Sequence, residues 1–569
     1  MRAPRRAASS RSRGVGSGKV LISDMQRPST HLASLSCLAL LCFACGGDDD
    51  AALDTTNVTT GGGGTAVGGT EASTGAPTTG EPEPVPFVPY PVKGGLEIDF
   101  VEANQGVGVV IGRDGAGVGG ADRTSYLIQN RLTLIRALWK DLPADWVPRK
   151  IEGRLTVTYP DGTELVQSSK VLIDIEAFIG SLDRSFYWGL MKEQVVPGIK
   201  YNIELFETEP GHEDLPAGAN PPRVPYAGST PIGIESSDLV MKVTIVPFNY
   251  DSGDGCKTTA DISDATMKRF YDQMYMMNPL DTLDITIHAP IEWDTPLSDF
   301  DQLNTYLSKL RADEGAESER YYYGLVDVCS GGLGDAGGKA FGIPQGGKIG
   351  DAWLRVSSGL SLADNVEFSS DTFVHEVGHT QGRYHVTCSG GEGGPDKTYP
   401  WPKGQIHDWG FGVIDFGLRH PTVHADYMTY CHPIWASSWG WNKVYPVIKN
   451  LSSWDDAGAP APNDAEIGAL MVGSLYPDGH STWFTTPGSL APEQLSAIHG
   501  VEFEIAGKPV QQAAAYLPQP DGDVVLIATP LPANWDGVTK ITRLAGPERF
   551  AIERAAVDEH HRRDLKAPN

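Results

Sequence analysis

The chemistry-bearing residues of this chain are concentrated in one run, His375-Glu376-Val377-Gly378-His379-Thr380-Gln381-Gly382-Arg383-Tyr384-His385. On a helix, His375 and His379 are four apart and project from one face, so their imidazoles can share one metal ion. Glu376, beside the first ligand, is placed to hold a water on the metal rather than the metal itself. Gly382 can take the left-handed conformation that ends a helix and turns the chain back. That turn brings His385 to the same ion. Three nitrogen donors with a fourth vertex left for water is the arrangement of a catalytic zinc site rather than a structural one.

Downstream stands Asp426-Tyr427-Met428-Thr429-Tyr430-Cys431. With the long histidine motif, this run resembles the metzincin zinc metallopeptidases, in which a tight turn sets a Met beneath the metal. The resemblance implies that role for Met428. It implies for Tyr430 an approach to the zinc or to the oxyanion of the reaction. Cys388 soon after the third His, the Asp-Tyr-Met-x-Tyr-Cys run and Pro433-x-Trp435 look like a group of bacterial secreted or lipoprotein metalloproteases related to mucin-cleaving proteases. The likeness covers roughly residues 240–450.

The chain has 569 residues and a net charge of −27. Residues 1–44 hold seven basic side chains against Asp24, which leaves about −33 on the rest. Such a surface repels nucleic acid and anionic membranes. Met25-Gln26-Arg27, the apolar run 35–44 and Cys45-Gly46-Gly47 read as an export signal too short to span a bilayer. Met25 is an alternative start. Cys45 resembles the lipidated Cys of bacterial lipoproteins, so the membrane is reached only through that anchor; plain cleavage and secretion is the alternative. The expected location is the outer membrane or cell surface, or the medium. Beyond Cys45 remain Cys256, Cys329, Cys388 and Cys431, an even number in an exported chain, which suggests two disulfides with three open connectivities. Cys388–Cys431 is favoured because both lie by the two motifs; Cys256–Cys329 is then the other pair.

Length argues for about three domains. Residues 1–45 are the signal segment, and 46–86 a Gly/Thr/Pro tether unable to bury a core. Residues 87–236 read as an immunoglobulin-like β-sandwich, with a hairpin turning at Pro160-Asp161-Gly162. Spacing, binding or an inhibitory pro-region are its open roles; with no Cys between 46 and 255, no thiolate from it can cap the zinc. Residues 237–455 alternate strands and helices in the order β-α-β-α-β-β-β-α, which resembles the metzincin upper lobe. Its first helix is capped by Ser263 and carries Met267, Phe270, Tyr271 and Met274 on one face. Short strands are expected near 340–343 and 352–356, the latter an edge able to pair with a substrate backbone. The zinc helix is expected from Ser370 or Asp371 to Gln381. Residues 456–569 read as a small C-terminal β domain. The fold class is therefore multidomain α+β, a metzincin-like domain flanked by two β domains.

His407, His420, His424 and His432 read as surface or cleft histidines, since the ion already has three ligands. Asp251-Ser252-Gly253-Asp254-Gly255 hints at Ca2+ but lacks the spaced oxygens of a calcium loop and reads as a turn. The expectation is a monomeric zinc endopeptidase acting on extracellular proteins or glycoproteins. Its rival is a surface-tethered, non-catalytic lipoprotein that binds protein or glycan.

Overall fold

The computed structural model describes residues 86–329, 333, 336–344, 347–455 and 467–559, which belong to one compact unit. The signal segment, Cys45 and the tether as far as residue 85 lie outside the described residues. The architecture is mixed α+β, mostly strand, with several separate sheets.

Two antiparallel sheets come first. One runs in the order Ala116–Gly117, Gly108–Arg113, Ile98–Asn104, Thr133–Trp139, Phe186–Leu190. The other is built on Arg149–Thr158, flanked by Lys200–Glu207 and Glu164–Ile173. Alternate residues such as Val101, Ile135, Ile151, Leu155 and Ile203 meet in one core between the sheets, as period-two patterning requires. The Pro160-Asp161-Gly162 turn is present, with Gly162 at φ 85°.

This sandwich is bolted to the α/β layer on its C-terminal side. The buried guanidinium of Arg131 donates to the carbonyls of Tyr275, Met276 and Leu280, 2.7–3.2 Å away. The Tyr275 and Met276 carbonyls lie in the last turn of α1 (Asp264–Met277), where a helix has no internal partner for them, and Leu280 follows just beyond it.

The central sheet is ordered Lys257–Thr259, Val240–Asp251, Tyr321–Val326, Val356–Leu360, Gly338–Ala340. Thr282–Ile287 and Ile291–Trp293 pair alongside Val240–Asp251. The main strands are parallel, and Gly338–Ala340 is an antiparallel edge. Tyr321–Val326 is buried at every position, as a strand covered on both faces must be. Val243, Ile245, Tyr321 and Tyr323 face α1 and α3 (Val366–Thr380). Val246, Phe248, Tyr322 and Val356 face α2 (Phe300–Asp313). α4 (Ser438–Ser452) closes the first of these cores with Trp441, Val444 and Ile448.

The C-terminal sheet has eight strands between Ala469 and Asp558. Its Leu470, Val472, Phe484, Ala515, Leu526 and Ala528 enter the same core as α2. The sheet is thus seated on the α2 side of the central layer.

Three sequence expectations change. The zinc-motif helix begins at Val366, capped by Asn365, rather than at Ser370 or Asp371. Residues 349–354 form a 3-10 turn and the strand starts only at Val356. The edge strand is therefore Gly338–Ala340, not 352–356. On α1, Phe270 and Met274 are buried, whereas Tyr271 is exposed.

Candidate metal centre

α3 brings His375 and His379 to one face, as their four-residue spacing dictates. The helix ends in a double backbone bond. The Gly382 N–H donates to His379 O at 2.9 Å, and Arg383 N–H to Gly378 O at 3.1 Å. Gly382 sits at φ 88°, so this is a Schellman ending that a residue with a side chain would strain. The reversed chain carries His385 back under the helix face.

Each ring is fixed by its far nitrogen. His375 Nδ1 lies 2.8 Å from Tyr427 O, His379 Nδ1 2.7 Å from Arg383 O, and His385 Nδ1 2.5 Å from Gly393 O. A carbonyl only accepts, so each Nδ1 must donate, and each Nε2 lone pair is left facing the common centre. His379 Nε2 and His385 Nε2 are 3.1 Å apart. His375 Nε2 is buried without a hydrogen-bond partner. Converging lone pairs repel unless a cation sits among them. Tetrahedral bonds of about 2.0–2.1 Å place donor nitrogens about 3.3 Å apart, so the His379–His385 spacing fits a zinc-sized ion, and a His375 nitrogen lies within 4.8 Å of both.

A fourth donor, from the C-terminal sheet, is also there. Asp521 Oδ1 lies 2.9 Å from His385 Nε2, and Oδ2 lies 3.1 Å from His379 Nε2. One ligand atom from each of the four residues lies within 4.8 Å of all the others. The sequence motif leaves that side of the three imidazoles to solvent; in the structure a carboxylate stands there.

Burial, followed by the neighbouring His379, lowers His375 to about 3. Burial also pulls His379 down. Burial works against the charged forms of His385 and Asp521 too. The Asp521 contact outweighs it at His385, and the contacts with His379 and then His385 hold Asp521 well below the carboxylate range.

Glu376 is buried, with Oε2 unpartnered. Burial and then the Asp521 charge push it well above its ordinary value, against Lys339 and the Ala340 N–H. The Tyr430 hydroxyl is 3.2 Å from His385 Nε2 and donates to Asp521 Oδ1.

The supporting turn is tightly built. Met428 is fully buried, and a Cβ on Gly378 would lie 2.6 Å from its Sδ, so the sulfur packs directly against the backbone of α3. Asp426 Oδ1 pairs with Arg383 Nη2 at 3.0 Å and accepts the Met428 N–H at 3.0 Å. Cys388–Cys431 and Cys256–Cys329 are both bonded, and the first joins the third-ligand loop to the Met428 turn. Glu392 accepts from the N–H groups of Cys388, Ser389 and Gly390, shaping the loop whose Gly393 carbonyl holds His385.

His432 faces Asp371 of α3 at 3.3 Å. His407 stacks on Trp401, and His420 lies against Trp409. His424 approaches the His420 carbonyl. None of these four joins the cluster. Asp251–Gly255 forms the turn between Val240–Asp251 and Lys257–Thr259.

A cavity of about 1480 Å³ opens beside the cluster. Gly338 and Lys339 of the edge strand, His375, Glu376, Tyr430, Tyr476 and residues 516–524 are among its lining. The two disulfides point to an oxidising environment. No helix among the described residues is long and apolar enough to cross a membrane. Comparison with protein-family models finds no match to the chain, and comparison with curated proteins finds none either.

Proposed function

We propose that the chain is a zinc-dependent endopeptidase of metzincin type, acting on extracellular proteins or glycoproteins. The observation that carries this reading is the convergence of three imidazoles, each with Nδ1 committed to a carbonyl and Nε2 turned to one point. His375, His379 and His385 would hold the ion. When bound, it would supply Lewis-acid activation of a water and of the scissile carbonyl.

The chain's own residues do the rest. Glu376, buried with a free oxygen at the cluster, takes the proton of the attacking water and returns it to the leaving amine. The Tyr430 hydroxyl is a donor for the oxyanion. The edge strand Gly338–Ala340 borders the cavity, where an extended peptide can align by strand addition. Export accompanies this reading, with lipid attachment at Cys45 or free secretion.

Asp521 favours a second reading. Four protein donors describe a closed structural metal site, and the protein would then bind protein or glycan without cleaving it. Against this stands Glu376, a carboxyl buried at a desolvation cost that a purely structural site does not require.

The two readings separate on Glu376→Ala. This variant should retain one metal per chain while peptide cleavage falls about 10²–10⁴-fold. Undiminished cleavage would overturn the peptidase mechanism. Absence of cleavage in wild type and in a variant with the fourth vertex freed would favour the binding protein.

A further inference from the structure

We propose that Asp521 is the fourth protein ligand of the metal, and that the chain therefore folds in a latent form whose catalytic vertex is closed by its own C-terminal sheet. This rests on the peptidase reading above for the meaning of latency, though the ligand assignment stands without it.

Three observations carry the proposal. The first is the donor geometry. The Asp521 side chain is 8% exposed and reaches two of the three Nε2 atoms at 2.9 and 3.1 Å. With each Nδ1 committed to a carbonyl, a neutral Nε2 presents a lone pair, and two of these beside a carboxylate are the donor set that one shared metal cation satisfies.

The second is delivery. Residues 519–524 join the strands Lys508–Pro518 and Val525–Pro530, and the loop is closed by Gln519 N–H to Val524 O at 3.0 Å. The Gln519 side chain and the Tyr476 hydroxyl both donate to Asp301, a fully buried carboxylate in the first turn of α2. Next to Asp521, a Cβ on Gly522 would come within 2.6 Å of Lys339 Nζ, and that ammonium is itself held by Asp299 at 2.7 Å. The tip is thus braced on both sides by the central lobe, and Asp521 adopts φ 57° to aim its carboxylate inward. Left-handed backbone at a non-glycine residue is tolerated by Asp, and it persists where surroundings impose it.

The third is competition. Asp521 Oδ1 accepts the hydrogen bond of the Tyr430 hydroxyl, the donor that a reacting carbonyl oxygen would need. A substrate and Asp521 cannot both use His385, Tyr430 and the fourth vertex. The C-terminal sheet shares a core with α2, so wholesale departure would bare Leu470, Phe484 and Leu526. Opening therefore consists of displacement or cleavage of the 519–524 tip while the sheet stays in place.

The test uses the full chain loaded with Co2+, as wild type, Asp521→Ala and Asp523→Ala. Asp523 shares the loop but not the metal cluster. All three should bind one Co2+. Acetohydroxamate should shift the visible spectrum of Asp521→Ala and leave wild type and Asp523→Ala unchanged. If the tip opens in fewer than about one molecule in ten, Asp521→Ala should also raise kcat/KM for a peptide about tenfold or more. A wild-type spectrum that responds to hydroxamate as the Asp521→Ala spectrum does would overturn the proposal, and peptide cleavage by that wild type would still support the peptidase. The expected spectra without cleavage by any variant would uphold the ligand and overturn the peptidase. Failure of every protein to take up Co2+ would overturn both.

Discussion

Asp426→Ala tests whether the Met428 turn is held by one buried ion pair. Arg383 and Asp426 are 1% and 0% exposed at their side chains, and their charged atoms are 3.0 Å apart. Removing the carboxylate leaves a buried guanidinium with no opposite charge paired to it among the described residues, its remaining side-chain partners being Tyr427 Oη, 3.2 Å away, and the rings of Tyr427 and Trp439. It also strips an acceptor from the Met428 N–H and from the Ser437 hydroxyl. Breaking a buried pair from one side costs about 3–5 kcal/mol, and the hydrogen bonds lost with the same carboxylate are not added to it, because groups that share a site do not contribute independently. The assay is urea unfolding of metal-free protein, where such a loss lowers the midpoint without changing the slope. Replacing both partners at once, Arg383→Met with Asp426→Leu, should cost much less than Asp426→Ala alone, since no charge is stranded. A cost for Asp426→Ala below about 1 kcal/mol, or a double variant worse than the single one, would refute the argument.

Two other outcomes concern a covalent link and a buried carboxyl. Replacing Cys388 and Cys431 together by Ala removes a link across 43 positions and should cost roughly 3–4 kcal/mol, read as a lower unfolding midpoint without reductant, while Cys256–Cys329 stays bonded. Burial raises Glu102 to about 7, with Arg136 opposing and Asp408 adding to the shift. A raised carboxyl binds its proton more tightly when folded, so stability should fall as pH rises from about 4.5 to about 7 and then level off. Glu102→Gln should abolish that slope and be more stable above pH 7 by up to about 3 kcal/mol; a variant with unchanged pH dependence would show that Glu102 is ionised at no cost.

The histidine cluster is legible in sequence because its geometry is local. Four-residue spacing sets two rings on one helix face, and Gly382 alone could make the turn that supplies the third. The helix start is not legible, because Ser369, Ser370 and Asp371 look like capping residues. In the structure Ser369 accepts the Leu362 N–H, Ser370 donates to Glu367 O, and Asp371 accepts from Gln273. Asn365 caps instead. The 352–356 stretch has strand-like residues, yet Arg355 donates to the carbonyls of Ser318 and Lys348 and the chain coils there. Asp521 carries no local signal. Pro160-Asp161-Gly162, Pro477-Asp478-Gly479 and Pro520-Asp521-Gly522 are the same tripeptide, and each reads as a turn. Which of them meets three imidazoles is decided by how the C-terminal sheet seats on α2, a long-range packing outcome that no window of sequence contains.

The Cys388–Cys431 bond makes a covalent ring of the irregular chain between third ligand and turn. Met428 and Tyr430 lie inside that ring, and His385 lies just outside it. A single nick anywhere along the ring, by a foreign protease or by another copy of this chain, leaves both fragments joined through sulfur. Tyr430 then stays close to His385, so wear of this exposed stretch need not disarm the centre that it encloses.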